Sequence, residues 1–406
     1  MMKIYDVVII GGGPAGSIAA IQLRNVGYSV KVIEKMKFPR FVIGESLLPK
    51  CNELLEEAGV LDAVIAEGFQ LKGGVTFENE QNDYKVIHFN ENLGQKHDSS
   101  FQVRREVFDK LLLDHAEKVG ADISMETEVI AYDENDNIVT VVDAEGQEEK
   151  YQAKKVIDAS GYGRVLPRLL NLESHSSLAA RRAVFCRVAN DKRATDGTDG
   201  YISVYIVGNN DAWIWNIPLS PTETSVGIVC SDAYFQAFDG NKDAFWNHII
   251  ENNTHAKTRY INATKINEVG TVGGYSSDVK TMFGKNFVLV GNATEFLDPI
   301  FSSGVTLALE SGFRAANLIV DEFKGKEVDW QSDYEAYMMV GIDVFREYVN
   351  AWYDGRLQTI LFSDKLTAEK IERKVVSVLS GYVWDETNMF VHSPKRAIES
   401  IYQVLK

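Results

Sequence analysis

Two tryptophans at i and i+2, Trp213 and Trp215, stand in the run WIWNIP (213–218), which Ile217 and Pro218 close. On a strand such a pair points to one face. Two neighbouring indoles either pack a sheet or wall off something reactive, and aromatic pairs on one strand face are common. A second residue out of keeping with its surroundings is Lys72, the one lysine in the apolar run GFQLKGGVTF (68–77). An amine there either snorkels to solvent from the end of a strand or acts as a nucleophile or hydrogen-bond donor.

The N-terminus carries the clearest chemistry. Residues 6–10, DVVII, read as a buried parallel strand. GGGPAG (11–16) follows at once, and a helix is expected to run on to about Val26. A second strand, 29–33, ends in Glu34 and Lys35. Strand, GxGxxG, helix, strand, acid is the order of a dinucleotide-binding unit. Gly11 permits the tight turn, Gly13 lets backbone approach a pyrophosphate, and Gly16 lets helix and strand pack closely. Pro14 suits the first helical turn, and the N–H groups around Ala15 then face the phosphates. Glu34 is placed to accept from the ribose hydroxyls of an unphosphorylated adenosine.

Composition narrows the remaining classes. The chain has 406 residues with 45% hydrophobic and 25% charged content, enough for two or three domains. A net charge of −16 argues against nucleic acid as a partner. No apolar run approaches a membrane span, and MMKIYDVVIIGGG runs into a strand with no signal-peptide pattern. The scattered Cys51, Cys186 and Cys230 suit a reduced, cytoplasmic setting. His248, Glu251 and His255 could share a helix face, but Asn252-Asn253-Thr254 is expected to end that helix first, so no metal site is read. Asp158 stands where a nucleophile elbow needs glycine.

Two further apolar strands end in small-residue turns: VIDASGYG (156–163), with Ala159 and Gly161, and FVLVGNA (287–293), with Gly291 and Asn292. The second leads through Asp298 and Pro299 to FSSG (301–304) and a helix expected over 305–323, beginning at Val305. Further backbone turns suit a long, extended cofactor. These residues resemble the FAD-binding motifs of the p-hydroxybenzoate hydroxylase class of flavoproteins, over about the first 325 residues. The resemblance implies that Gly291 and Asn292 lie at the ribityl chain, that Pro299, Gly304 and Val305 lie against the isoalloxazine, and that Asp298 is among the cofactor-binding residues. Asn292 departs from the usual aspartate; it can hydrogen-bond a ribityl hydroxyl but brings no charge.

FPRFVIGESLLP (38–49), with Arg40 and Ser46, and QVRREVFD (102–109), with Arg105, are similar to segments of flavin-dependent halogenases. WIWNIP matches that family's WxWxIP motif. The resemblance implies Arg105 near the flavin phosphates, residues 44–46 in the wall near the flavin, and tryptophans that keep substrate off it. Glu45 has an alternative use, as the cap of a helix starting at 47 or 48. In the family a flavin C4a-hydroperoxide oxidises chloride or bromide to hypohalous acid. Lys72 matches the essential lysine that then presents the halogen to an aromatic carbon, and Ser303 and Gly304 match the halide site, where a helix N-terminus offers free N–H donors. Tryptophan halogenases carry glutamate at the position of Phe301. Its absence points to an electron-rich phenol or pyrrole, free or tethered to a carrier protein.

The expected architecture is α/β: a Rossmann-like FAD domain of the p-hydroxybenzoate hydroxylase type (1–82, 104–179 and 272–326), an inserted β-sheet substrate domain (83–103 and 180–271), and a C-terminal helical region (327–406). No second complete GxGxxG is present, so electrons are expected from a transient NAD(P)H contact or a separate flavin reductase. Two other functions stay open on the sequence: an FAD dehydrogenase or C=C reductase of the geranylgeranyl reductase type, with aromatic hydroxylation in the same group, and a non-catalytic flavin-binding protein.

Overall fold

The computed structural model describes residues 2–208, 211–363 and 369–406. Two sheets dominate the described residues, one of seven strands and one of eight. The first is built outward from Lys3–Ile10, which is apolar at every position from Val7 and has Val7, Val8 and Ile9 fully buried. Val30–Ile33 pairs parallel on one side and Glu148–Asp158 on the other. Asp122–Ser124 extends the first edge, and Phe287–Leu289 adds parallel to Glu148–Asp158. Ile138–Val142 and Glu128–Asp133 complete the sheet as an antiparallel flap. Lys3–Ile10 and the end of Glu148–Asp158, both read as apolar in the sequence, are central, whereas Phe287–Leu289, buried too, pairs with one strand only.

Helix Pro14–Asn25 packs against the long helix Ser303–Phe323. Gly312 makes that contact close: a Cβ there would stand 2.3 Å from the carbonyl oxygen of Ala15.

In the second sheet Arg181–Ala189, Glu223–Ser231, Ala212–Ser220 and Ile202–Val207 run antiparallel in that spatial order. Gly74–Glu78 then adds parallel to Ile202–Val207, and Tyr84–His88 follows. The expected boundary at residue 82 thus falls after one strand of this sheet rather than before it. The boundary at 271 likewise cuts through Gly270–Gly273, which pairs with Arg181–Ala189. Both strands are short, and their pairing partners lie far away in sequence, so nothing local marks the division.

The C-terminal region is helical as expected: Tyr337–Tyr353, Arg356–Leu361, Glu369–Leu379, Met389–His392 and Pro394–Leu405, after a π-helical turn at Trp330–Ala336. Its aromatics close over the junction between the sheets. Trp352 lies 5.4 Å from Phe77 and 6.1 Å from Phe301 between ring centroids. Asn253 ends Lys242–Asn252 and caps Thr254–Tyr260 by accepting from the Ala256 N–H, so His248 and His255 stand on separate helices.

Candidate functional site

The three glycine turns converge on one cavity of about 390 Å³ between the two sheets. At the first turn Gly11 has φ +101°, and a Cβ on Gly16 would stand 2.0 Å from the Gly11 carbonyl oxygen, so both positions need glycine. A Cβ on Gly13 would meet only the Arg40 guanidinium, at 3.4 Å; that side faces the cavity. Gly13 caps the helix, Pro14 follows, and no side chain satisfies the first N–H groups. The helix N-terminus is left free for an anion.

Glu34 is buried and lines the cavity. Its carboxylate accepts from the Gly12 and Met36 N–H groups, each at 2.8 Å. About four lone-pair sites are available to a carboxylate, so two bonds leave capacity for ribose hydroxyls. Lys35 lines the same end, its ammonium 2.7 Å from Glu128.

Arg40 and Arg105 share one buried carboxylate. Arg105 donates from Nε and Nη2 to Asp109 at 2.7 and 2.9 Å, and Arg40 Nη1 reaches the same group at 3.2 Å. Two guanidiniums against one carboxylate leave positive charge at the wall, which suits a pyrophosphate. Asp109 was not singled out in the sequence, although its i,i+4 spacing from Arg105 signals such a pair.

The second turn is tied by Asp158, which accepts from the Ser160 and Leu166 N–H groups at 2.9 and 2.6 Å. Ala159, Ser160 and Gly161 line the cavity. Arg164, also missed in the sequence, joins this turn to the third by donating to Ser277 Oγ, the Thr294 carbonyl and the Asp278 carbonyl. At the third turn Gly291 has φ +57°, and its N–H donates to Ser311 Oγ at 2.8 Å. Asn292 is cavity-lining.

Pro299, Gly304 and Val305 also reach the cavity. Asp298 does not line it: one carboxylate oxygen accepts from the Ile300 N–H at 3.1 Å and the other from the Tyr353 hydroxyl at 3.0 Å. Burial pushes this carboxyl up to about 6 against those donors. Ser302, left-handed at φ 55°, is the N-cap of helix Ser303–Phe323 and makes no side-chain cap bond. Ser302 and Gly304 line the cavity, whereas the Ser303 side chain is buried behind it.

The opposite wall comes from Ala212–Ser220. Trp213, Trp215 and Ile217 all line the cavity, and the two indoles lie 6.0 Å apart between centroids. Trp215 has room because its cross-strand partner is Gly227, where a Cβ would stand 2.0 Å from the ring. Pro218 is not at the wall; it precedes a register shift in the pairing with Glu223–Ser231. Ser46 and Glu45 line the near side. Glu45 caps no helix, since Pro49–Glu57 begins later with Leu48 as its N-cap. It pairs instead with Arg187 at 2.5 Å, while burial raises its carboxyl.

Lys72 lies apart from this cavity. Its side chain is wholly buried, and its Nζ donates to the Leu47 carbonyl at 2.8 Å and stands 5.2 Å from the centre of the Phe89 ring. Burial lowers the amine to about 7.

The chain matches the family described as "FAD binding domain" over residues 4–336. It is 30% identical to the 1H-pyrrole-2-carbonyl-(peptidyl-carrier protein) chlorinase of Pseudomonas fluorescens, covering 97% of this chain and 93% of that one. It is 31% identical to the corresponding brominase of Pseudoalteromonas luteoviolacea over 94% and 93%. A structure of the flavin-dependent brominase Bmp2 superposes with a TM-score of 0.87 at 26% identity, over the whole of both chains. A flavoprotein/dehydrogenase from Cytophaga hutchinsonii superposes at 0.94 with 41% identity over 99% of each chain. The fold and its cavity are those of an FAD-binding oxidoreductase, and the chain belongs to the flavin-dependent halogenase family within that class. FAD is its cofactor. No helix among the described residues is long and apolar enough to cross a membrane.

Proposed function

We propose that this chain halogenates an electron-rich pyrrole or phenol presented on a carrier protein, with chloride or bromide as co-substrate and a separate reductase or NAD(P)H as electron source. The observation that carries the proposal is the shared cavity: the WIWNIP indoles wall the same space as the three cofactor turns. The printed activities of the Pseudomonas and Pseudoalteromonas relatives support a tethered pyrrole.

When bound, reduced FAD would supply the two electrons with which dioxygen is activated to oxidise halide to an electrophilic halogen species. The chain's own residues do the rest. The Gly13–Pro14 helix start, with Arg40 and Arg105, holds the pyrophosphate, Glu34 the ribose, and Gly291 and Asn292 the ribityl chain. Pro299, Gly304 and Val305 pack against the ring system. The free N–H groups of the first turn at Ser303 and Gly304 hold the halide. Trp213, Trp215 and Ile217 exclude both water and substrate from the ring. Lys72, its amine shifted by burial toward the neutral form, orients the halogen toward the aromatic carbon. Phe301, packed between Tyr348 and Trp352, offers no carboxylate, which fits a substrate that needs no help to stabilise positive charge.

A second reading, FAD-linked reduction, is favoured by the dehydrogenase description of the Cytophaga neighbour. The test is product formation from a pyrrolyl-carrier substrate with reduced FAD, dioxygen and bromide. Brominated product that disappears in Lys72→Ala supports the first reading. Donor-driven reduction of an unsaturated substrate, indifferent to Lys72→Ala, supports the second.

A further inference from the structure

The short ribbon that carries Lys72 is built inside out. Gln70–Lys72 pairs antiparallel with Ser100–Gln102 in the register Gln70 to Gln102, Leu71 to Phe101 and Lys72 to Ser100. Residues opposite one another share a face, and alternate residues share it too. Gln70, Lys72, Ser100 and Gln102 therefore line one face, while Leu71 and Phe101 occupy the other. Most of the polar face is buried, Lys72 being 1% exposed and Ser100 and Gln102 0%, with Gln70 half-buried; on the other face Leu71 is 55% exposed and Phe101 half-buried. Burying polar groups in place of apolar ones costs stability unless each is hydrogen-bonded.

They are not all bonded. Ser46 is bridged to Gln102 in antiparallel fashion, which brings it to the same face, and it also lines the cofactor cavity. Neither Ser46 Oγ nor Gln102 Oε1 has a hydrogen-bond partner, although both are buried. The Gln102 amide makes one long bond, from Nε2 to the Gly200 carbonyl at 3.5 Å. The backbone of residues 45–48 is pinned alongside: Val103 N–H donates to the Glu45 carbonyl, Leu47 N–H to the Phe101 carbonyl, and Ser100 Oγ and Lys72 Nζ to the Leu48 and Leu47 carbonyls. The polar face thus runs from Ser46 at the cavity to Gln102 opposite it and then diagonally to Lys72, and the two unsatisfied groups, Ser46 Oγ and Gln102 Oε1, lie at its cavity end.

We propose that Gln102, with Ser46, is a positioning relay that passes a small neutral hydrogen-bonding oxidant from the cofactor cavity to the Lys72 amine. The role rests on the halogenase reading. A hydroxyl and an amide offer one donor–acceptor pair each, which matches a molecule such as a hypohalous acid. The wide, apolar flavin side is closed to substrate by the tryptophans, so a polar seam beside it gives the oxidant one direction to leave.

The relay is tested without relying on turnover. Isocyanic acid, a neutral molecule of three heavy atoms with a donor and an acceptor, carbamylates an amine by addition of the N–H across its C=N bond. Flavin-loaded wild-type protein, Gln102→Met and Ser46→Ala are treated with cyanate, and carbamylation of Lys72 is read by mass spectrometry against that of exposed Lys150. The relay predicts that the Lys72:Lys150 ratio falls about fivefold or more in each variant, the equivalent of one lost hydrogen bond. In turnover with bromide, both variants should release oxidised bromine to a monochlorodimedone trap at the expense of brominated substrate. An unchanged ratio in both variants overturns the relay, even if the wild type halogenates. If the ratio falls but the wild type yields no halogenated product, the relay stands as a path and the halogenase reading fails. Should Gln102→Met fail to fold, Ser46→Ala and Gln102→Asn carry the same expectation.

Discussion

The indole Nε1 of Trp213 donates to the hydroxyl of Tyr353 at 2.9 Å, across 140 positions of sequence. That hydroxyl donates on to Asp298 at 3.0 Å, and the Arg181 guanidinium lies 3.7 Å over the Tyr353 ring. One side chain of the C-terminal helical region therefore fixes both the tryptophan wall and the carboxylate that precedes Pro299.

Removing that hydroxyl should be felt at both ends. Tyr353→Phe leaves the buried Trp213 N–H unpaired and takes a donor from Asp298. The expected loss is ~1–3 kcal/mol of stability, seen as a lower midpoint in urea with an unchanged slope. Flavin fluorescence should also change, because the indole wall is freed. An unaltered midpoint would mean that the bond is not formed in solution.

Gly227 sets the position of Trp215. Gly227→Ala places a methyl 2.0 Å from the indole, a contact that backbone and ring cannot both keep. Overpacking of this kind costs ~1–3 kcal/mol. Displacing Trp215 into the cavity should weaken FAD binding as well, which equilibrium dialysis would report. Gly227→Ala with wild-type affinity and stability would contradict the wall geometry.

The buried amine makes stability depend on pH in a definite direction. In the folded chain Lys72 loses its proton at about 7, against 10.5 for the free side chain. Between those values the unfolded chain binds the extra proton, so this group's contribution to stability rises with pH. Lys72→Met removes the penalty. The variant should be more stable than wild type below pH 7, by an amount on the order of a few kcal/mol, and the gap should close as pH approaches 10.5. Paired thermal or urea denaturation across that range checks it; a gap that widens with pH would show the amine to be charged in the folded state.

Asn292 tests the third turn. No hydrogen bond ties its side chain to a described neighbour, and it faces the cavity. Asn292→Asp should retain FAD more tightly, since a carboxylate accepts more strongly from ribityl hydroxyls, by about 1 kcal/mol or fivefold in dissociation rate. Asn292→Ala should release it faster. Stopped-flow release of flavin fluorescence measures both.

The cofactor turns were legible because their signals are local. GGGPAG, the strand before it and Glu34 after it lie within 34 residues, and each glycine meets the contact its position implies. The division between the sheets was less legible, because Gly74–Glu78 finds its partner Ile202–Val207 only through long-range pairing. Glu45, read as part of the wall or else as a helix cap, lines the cavity and caps no helix; its partner, Arg187, lies on a distant strand that nothing local announces. Asp298 read as a cofactor ligand because nothing near it announces Tyr353. Lys72 stood out by type, but its register with Ser100 and the buried polar face around it needed the fold.

The most direct test of the account is bromide-dependent chemistry on a tethered substrate. Reduced FAD, dioxygen and a pyrrolyl-carrier protein are mixed with the enzyme, with and without bromide, and the carrier is analysed by mass spectrometry. The account predicts brominated pyrrole only with bromide, and its loss in Lys72→Ala while FAD stays bound. Flavin reoxidation with no brominated carrier, alongside donor-driven reduction of an unsaturated substrate, would contradict it and make the tryptophan wall part of a reductase.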